Sequence, residues 1–433
     1  MRPWILLLAA CALSLWPATG WASAPPRCAG WCGAPPRLAL WMEASANLRA
    51  LSTREGVAAV MDRARAAGVT TVMPEAKNAW GYVTYHSAFA PLIGTSPVPR
   101  SASPSYPAPR TWYPPQFDQL QVIIEEAHRR GLEVHAAVNI FGEGLTAFRV
   151  GSLFERPQWA AQHLGPAGAI LPSTRVAEIA FANPGLPEVQ LYELAIIGEI
   201  VRTYDIDGLI LDRIRYPDVT ADFSADSKAA FEQWLGRPVT AWPDEILRID
   251  GTRQIRGPLF REWIAWRAAV IQRFIRAAER LVHGVKPHVA FTAYVGGWYP
   301  AYWNEGTNWG AAETEVNLTW MSPRWRQAAA AGFFDYLMVG LYYPYIARSD
   351  AVAAGHAMWM SIEGGALLVE DVVAGQTRPV GSLLLPLYEG APDQFRIALE
   401  RTQRLTDGAM LFDLVYLDRY DWWALLMPFQ RDR

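Results

Sequence analysis

From Arg37 onward, short apolar runs bounded by polar residues alternate with longer stretches whose apolar residues recur every three or four positions. The first kind predicts buried strands and the second amphipathic helices. "RLALWMEAS" reads as the first strand. Ser52 with Glu55 resembles a capping box, and Val57, Val60, Met61 and Ala64 then follow at helical spacing up to Gly68. "VTTVMPEAK" is the second strand, and in "FDQLQVIIEEAHRRG" Phe117, Leu120, Ile124 and Ala127 share one helical face. "LEVHAAVNIF" is the third strand, "EVQLYELAIIGEIVRTYD" a helix, and "DGLILDRIRYPD" the fourth strand. A helix from Leu259 to His283 carries Phe260, Trp263, Ile264, Ile271, Phe274, Ile275 and Ala278 on one side, and "HVAFTAYVGGWYP" is the fifth strand. "FDYLMVGLYYPY", "VGSLLLPLYEG" and "GAMLFDLVYLDRY" bring the set to eight.

Apolar strands separated by amphipathic helices predict a parallel sheet covered on its outside. Eight such units are the number that closes into a barrel. The predicted fold class is therefore α/β, a single (β/α)8 TIM barrel with long βα loops, over residues 37–433. One long connection, "GTSPVPRSASPSYPAPRTWYPPQ", follows the second strand; its Tyr106, Trp112 and Tyr113 suit a cleft wall, and its prolines equally suit a rigid spacer. The other, Asp218 to Pro258, holds a short helix around "SKAAFEQWLG". Such loops lie on the C-terminal face, where barrel enzymes build their sites.

Ahead of this pattern, Arg2, an apolar run from Trp4 to Trp16 and the small residues Ala22-Ser23-Ala24 read as a signal peptide over residues 1–24. The run is too short to span a bilayer. Leu8-Ala9-Ala10-Cys11 offers the alternative of a lipoprotein acylated at Cys11. A Pro-rich segment, 25–36, holds Cys28 and Cys32, which an oxidising compartment favours pairing. The expected location is outside the cytoplasm, periplasmic or secreted, with no transmembrane segment.

Composition narrows the chemistry. A 433-residue chain that is 51% apolar and 19% charged can bury a large core, and a net charge of −3 offers no basic field to a phosphate backbone. Nucleic acid is not an expected partner. The 20 Trp and 17 Tyr fill core space and also suit a sugar-binding cleft, where flat rings stack on C–H faces. None of the seven histidines stands in H-x-H or H-E-x-x-H spacing, and G-x-G-x-x-G, P-loop and G-x-S-x-G patterns are missing. No metal, nucleotide cofactor or serine triad is expected.

The strand ends are acidic. Alternation sends Leu209 and Leu211 to one side of the fourth strand and Ile210 and Asp212 to the other, so Asp212 emerges at the barrel mouth beside Arg213 and Arg215. Glu43, Glu75, Glu389 and Asp413 end other strands. Glycoside hydrolysis needs one carboxyl to protonate the leaving oxygen and another to attack the anomeric carbon or activate water. Glu75 and Asp413 follow apolar runs and are the better placed; Glu43 and Glu389 read equally well as solvated loop acids. Asp212 is expected as nucleophile or base, Glu75 as general acid, and Asp413 as a supporting or alternative acid. Glu143 and Glu305 stand in reserve. Lys77, Asn139, Arg213 and Glu389 are expected to contact substrate through polar groups, and Tyr294, Trp298 and Trp303 through their rings.

Six blocks now stand out in order: "PEAKNAWGYVTYHSAFAP", "FDQLQVIIEEAHRRGLEVHAAVNIFGEG", "YDIDGLILDRIRYPD", "LFREWIAWRAAVIQRFI", "GGWYPAYWNEGTNWG" and "DGAMLFDLVYLDRYDWW". Through them the chain resembles a bacterial glycosyl-hydrolase-like barrel family, the family-10-like one, whose members are mostly exported. The resemblance covers nearly the whole mature chain. It implies a TIM-type barrel acting on glycosidic bonds, with Asp212 at the position most similar to a barrel glycosidase's catalytic carboxylate. The family often shows aspartate and valine where "PEAK" stands, so Glu75 keeps the carboxylate and lengthens it. The resulting expectation is an exported hydrolase of a polysaccharide, a cell-wall or matrix glycan. A catalytically inactive barrel that binds glycan is the competing class, and an envelope scaffold, marked by an exposed apolar patch away from the mouth, is a third.

Overall fold

In the computed structural model, which describes residues 33–93 and 116–430, eight parallel strands close into one barrel. They are β1 (Leu38–Met42), β2 (Thr71–Lys77), β3 (Glu133–Asn139), β4 (Gly208–Asp212), β5 (Ala290–Gly296), β6 (Leu337–Gly340), β7 (Pro379–Leu384) and β8 (Ala409–Phe412). Each lies beside its neighbours in sequence, and β8 returns to β1 with Ala39 opposite Met410. The predicted strands all form. The signal segment with Cys11, the Cys28 and Cys32 pair, and the stretch holding Tyr106, Trp112 and Tyr113 lie outside the described residues.

The helices outside the barrel follow the apolar spacing. In α1 (Arg54–Ala66) the buried residues are Val57, Val60, Met61 and Ala64. Its cap is Thr53, not Ser52: Thr53 takes the extended backbone and its hydroxyl accepts from the Gly56 N–H at 3.1 Å. Asp118 caps α2 (Gln119–His128) in the same way. The 17-residue α3 (Pro187–Thr203) covers the next strands, and α4 (Ala225–Leu235), capped by Ser224, is the short helix of the long loop. The 26-residue α5 (Phe260–Val285) buries Trp263, Ile264, Ile271, Phe274, Ile275 and Ala278. The ring is completed by α6 (Ile362–Val373), α7 (Pro392–Leu405) and α8 (Leu414–Tyr420). Among the described residues no helix is long and apolar enough to cross a membrane.

Strand alternation sorts the core into two compartments. Leu40, Val72, Val138, Leu211 and Val339 pack outward against the helices. Trp41, Met73, Ala137, Ile210, Met338, Val380 and Met410 fill the barrel interior. The C-terminal rim is raised by additions after β3 and β4. Gly142–Leu145 pairs with Ile179–Phe181, Gln162–Leu164 with Ile170–Pro172, and Leu247–Asp250 with Arg253–Arg256, each antiparallel.

Candidate active site

One step of alternation above the interior layer lies the ring that forms the site. Trp41 leads to Glu43, Met73 to Glu75, Ala137 to Asn139, Ile210 to Asp212 and Met410 to Phe412. With Tyr294 and Gly340, all members of this ring but the buried Asn139 line a cavity of about 390 Å³, to which Arg213, Trp298 and Glu305 also contribute. Asn139 and Asp212 face each other across the β3–β4 pair. This is the C-terminal end of the strands, the face on which barrel enzymes place their chemistry.

The acids are held by a connected set of donors. Glu75 accepts from the Ala44 N–H at 2.9 Å on Oε2 and from Asn139 Nδ2 at 3.1 Å on Oε1. The Oδ1 of Asn139 accepts from Arg213 Nη1 at 2.6 Å, and the same nitrogen donates to Asp212 Oδ2 at 2.9 Å. Asp212 Oδ1 accepts from the Arg213 N–H at 2.7 Å. Two side chains therefore bridge Glu75 to Asp212. Glu43 accepts from the Ser45 hydroxyl.

Three carboxyls share one poorly hydrated corner. Burial, then the charges of Glu43 and Asp212, push Glu75 well above the ordinary carboxylate range, while the Ala44 N–H and Arg213 work against that rise. Burial likewise raises Glu43, opposed by Ser45 and Arg213. Asp413 is pushed up to about 7 by burial and by Glu43. Acids biased towards the protonated form, beside an aspartate paired with a guanidinium, can supply both halves of an acid–base reaction.

Aromatic side chains wall the cavity. Trp80, Tyr294, Trp298, Tyr342, Phe412 and Tyr416 line it. Trp298 and Tyr342 lie with ring centroids 6.2 Å apart, and Trp298 Nε1 donates to Glu305 Oε1 at 2.8 Å. The Tyr294 hydroxyl meets Ser382 Oγ at 2.7 Å and also contacts the Tyr342 hydroxyl.

Four expected site residues lie elsewhere. Lys77 would share Glu75's face in a regular strand, but a bulge between Glu75 and Lys77 puts it opposite Val138, an outward position. Its ammonium, wholly buried, donates to Glu193 Oε2 at 2.8 Å and to the Asn139 carbonyl at 2.8 Å, and pairs with Glu143. Burial opposes that charge, yet Glu143 and Glu193 outweigh it and hold the proton above the usual lysine range. Asp413 follows the inward Phe412 by one residue and so turns away. It caps α8 by accepting from the Val415 N–H at 3.0 Å, and its other oxygen accepts from the Glu43 N–H at 3.0 Å and Asn47 Nδ2 at 2.9 Å. Trp303 docks on Phe260 at 5.7 Å beneath the Arg256 guanidinium. Glu389 is exposed, beyond the turn Leu385–Tyr388 that ends β7. Of the reserve acids, Glu305 lines the cavity and Glu143 is buried with Lys77.

Glu43 and Tyr342 were legible as cavity residues, since each continues its strand's inward alternation by one step. Trp80 and Arg215 also line the cavity but sit in irregular loops, where no periodic signal marks them.

A closed eight-stranded barrel with acids and aromatic rings gathered at the C-terminal mouth defines a glycoside-hydrolase-like barrel. The chain belongs to the family described as glycosyl hydrolase-like 10, whose model matches residues 38–376. It is 30% identical over 324 residues to an S-layer-related protein of Niallia circulans, covering 70% of this chain and 20% of that protein. Glycosyl hydrolase YngK of Bacillus subtilis is 24% identical over 315 residues, 70% of this chain and 54% of that one. Glycosyl hydrolase DigH of Escherichia coli K12 is 26% identical over 250 residues, 55% of this chain and 50% of that one. The matches thus span a fifth to about half of these relatives' lengths. In fold the chain is similar to the PgaB (BpsB) glycoside hydrolase domain from Bordetella bronchiseptica, with a TM-score of 0.61 at 11% identity over 91% of this chain and 98% of that one. It is also similar to alpha-L-fucosidase isoenzyme 2 from Paenibacillus thiaminolyticus, with a TM-score of 0.55 at 14% identity over 90% of this chain and 48% of that one.

Proposed function

We propose that this protein is an exported glycoside hydrolase that cleaves glycosidic bonds within a cell-wall or matrix polysaccharide. The observation that carries the reading is the convergence of Glu43, Glu75 and Asp212 on one cavity walled by aromatic rings. Asp212, oriented by Arg213, attacks the anomeric carbon or activates water, and an acid of the Glu75 corner protonates the leaving oxygen. Asp413 acts through the Glu43 backbone. Trp80, Trp298 and Tyr342 stack on sugar rings, and Tyr294, Arg213 and Glu305 meet hydroxyl groups. Membership of a glycosyl hydrolase-like family and relatives named as glycosyl hydrolases support the reaction class. The apolar leader over residues 1–24 supports export.

The test is release of reducing ends from a panel of bacterial and plant glycans. Asp212→Asn is expected to lower the rate by about 10²–10⁴-fold, with an unchanged circular dichroism spectrum. Near-normal release by that variant removes Asp212 from the mechanism. A panel on which the native protein releases nothing, yet which it binds, moves it to the glycan-binding class.

A further inference from the structure

Resting on the hydrolase reading, we propose that Glu43 is the catalytic residue that gives its proton to the leaving oxygen, with Glu75 held beside it as a buried positioning residue. Both carboxyls reach the cavity, but their surroundings differ. Glu75 is only 5% exposed, and each of its oxygens already accepts an N–H bond, from Ala44 and from Asn139. Those bonds hold both oxygens in place, so Glu75 cannot turn towards a leaving oxygen without breaking them. Glu43 is more open, and its side-chain partner is the Ser45 hydroxyl. A hydroxyl can donate to a carboxylate or accept from a carboxylic acid. It therefore serves both states of a group that must lose and regain a proton.

The aim of Glu43 is fixed by its backbone. Its N–H is bound to Asp413, and the next N–H, of Ala44, to Glu75. Four titratable groups face Glu43 from the surrounding elements: its charge raises Glu75 on β2, Asp413 at the end of β8 and Tyr416 on α8, and Arg213 after β4 favours its carboxylate. Two acids against one guanidinium favour keeping a proton in this corner.

In the step, the electrons of the bond between the anomeric carbon and the leaving oxygen pass to that oxygen, which takes the proton of Glu43. Glu43 is left as a carboxylate. Asp212 either bonds to the anomeric carbon, and water then breaks that ester while giving a proton back to Glu43, or takes the proton of the attacking water, after which solvent carries that proton away and returns one to Glu43.

Paired aryl glycosides of common hexoses and hexosamines, one set with dinitrophenyl and one with methylphenyl leaving groups, test the assignment. A dinitrophenolate leaves without protonation. Glu43→Gln should therefore lose roughly 10²-fold or more on the methylphenyl set, stay within a few-fold on the dinitrophenyl set, and lose the basic limb of its kcat/KM profile. Glu75→Gln should keep that limb and the native ratio of rates on the two sets. The reverse pattern, in which Glu75→Gln gains that contrast between the sets and loses the limb while Glu43→Gln keeps the native ratio and the limb, overturns the assignment and leaves the hydrolase reading standing. Equal activity of Asp212→Asn and native protein on both sets, or no turnover of either set by native protein, overturns reading and assignment together.

Discussion

Arg213 follows Asp212 with φ at 47°, a left-handed backbone that costs a residue with a side chain roughly 1–2 kcal/mol. In that conformation its N–H meets one oxygen of Asp212 and its guanidinium meets the other. At the opposite end of the same strand, Gly208 lies so close to His135 that an added Cβ would stand 2.5 Å from the ring. The ring cannot swing clear, because its Nδ1 is bound to the Tyr336 hydroxyl at 2.6 Å. Gly208→Ala is therefore expected to destabilise the fold by about 1–3 kcal/mol, measured by urea denaturation. Turnover should fall as well, since β4 carries Asp212. Individual positions were readable where alternation ran unbroken: Ile210 inside and Leu211 outside put Asp212 at the mouth. Asp413 has the opposite parity to Phe412, and an apolar run before an acid does not reveal which of two neighbouring residues faces in.

Elements were legible wherever the apolar period was long. The barrel strands and the faces of α1, α2 and α5 follow from spacing alone, because burial on both sides of a parallel sheet leaves runs that no surface strand needs. The antiparallel ribbons after β3 and β4 were not foreseen, because pairs of three or four residues contain too few turns of any period to register. The β2 bulge is likewise invisible in "MPEAK", since one extra residue changes geometry without changing composition. It moves Lys77 into a dry compartment, where the ammonium ties β2 to the end of β3 and to Glu193 on α3. Burial pushes Glu193 well above the usual carboxylate range, so its charge depends on that ammonium. Lys77→Met is expected to cost about 3–5 kcal/mol in chemical denaturation, because it strands buried carboxylates without a counter-ion. A loss under about 1 kcal/mol, the range of exposed pairs, would show that the brace carries little.

For the molecule as a whole, the family match ends at residue 376 while the barrel does not. β7 and β8 lie beyond it, and β8 supplies the seam with β1. A chain ended at residue 376 would present β1 and β6 as open edges, lose Phe412 from the mouth and lose Asp413, which holds the Glu43 backbone. Such a truncation is expected to lose cooperative unfolding and to be cut rapidly by protease, whereas a chain ended at residue 430 should keep both properties. The seam has a further consequence in time. The bond from the Glu43 N–H to Asp413 joins residues 370 positions apart. A ribosome builds β1 and the Glu43 that follows it early, yet the bond that holds the Glu43 backbone cannot form until residue 413 has been added.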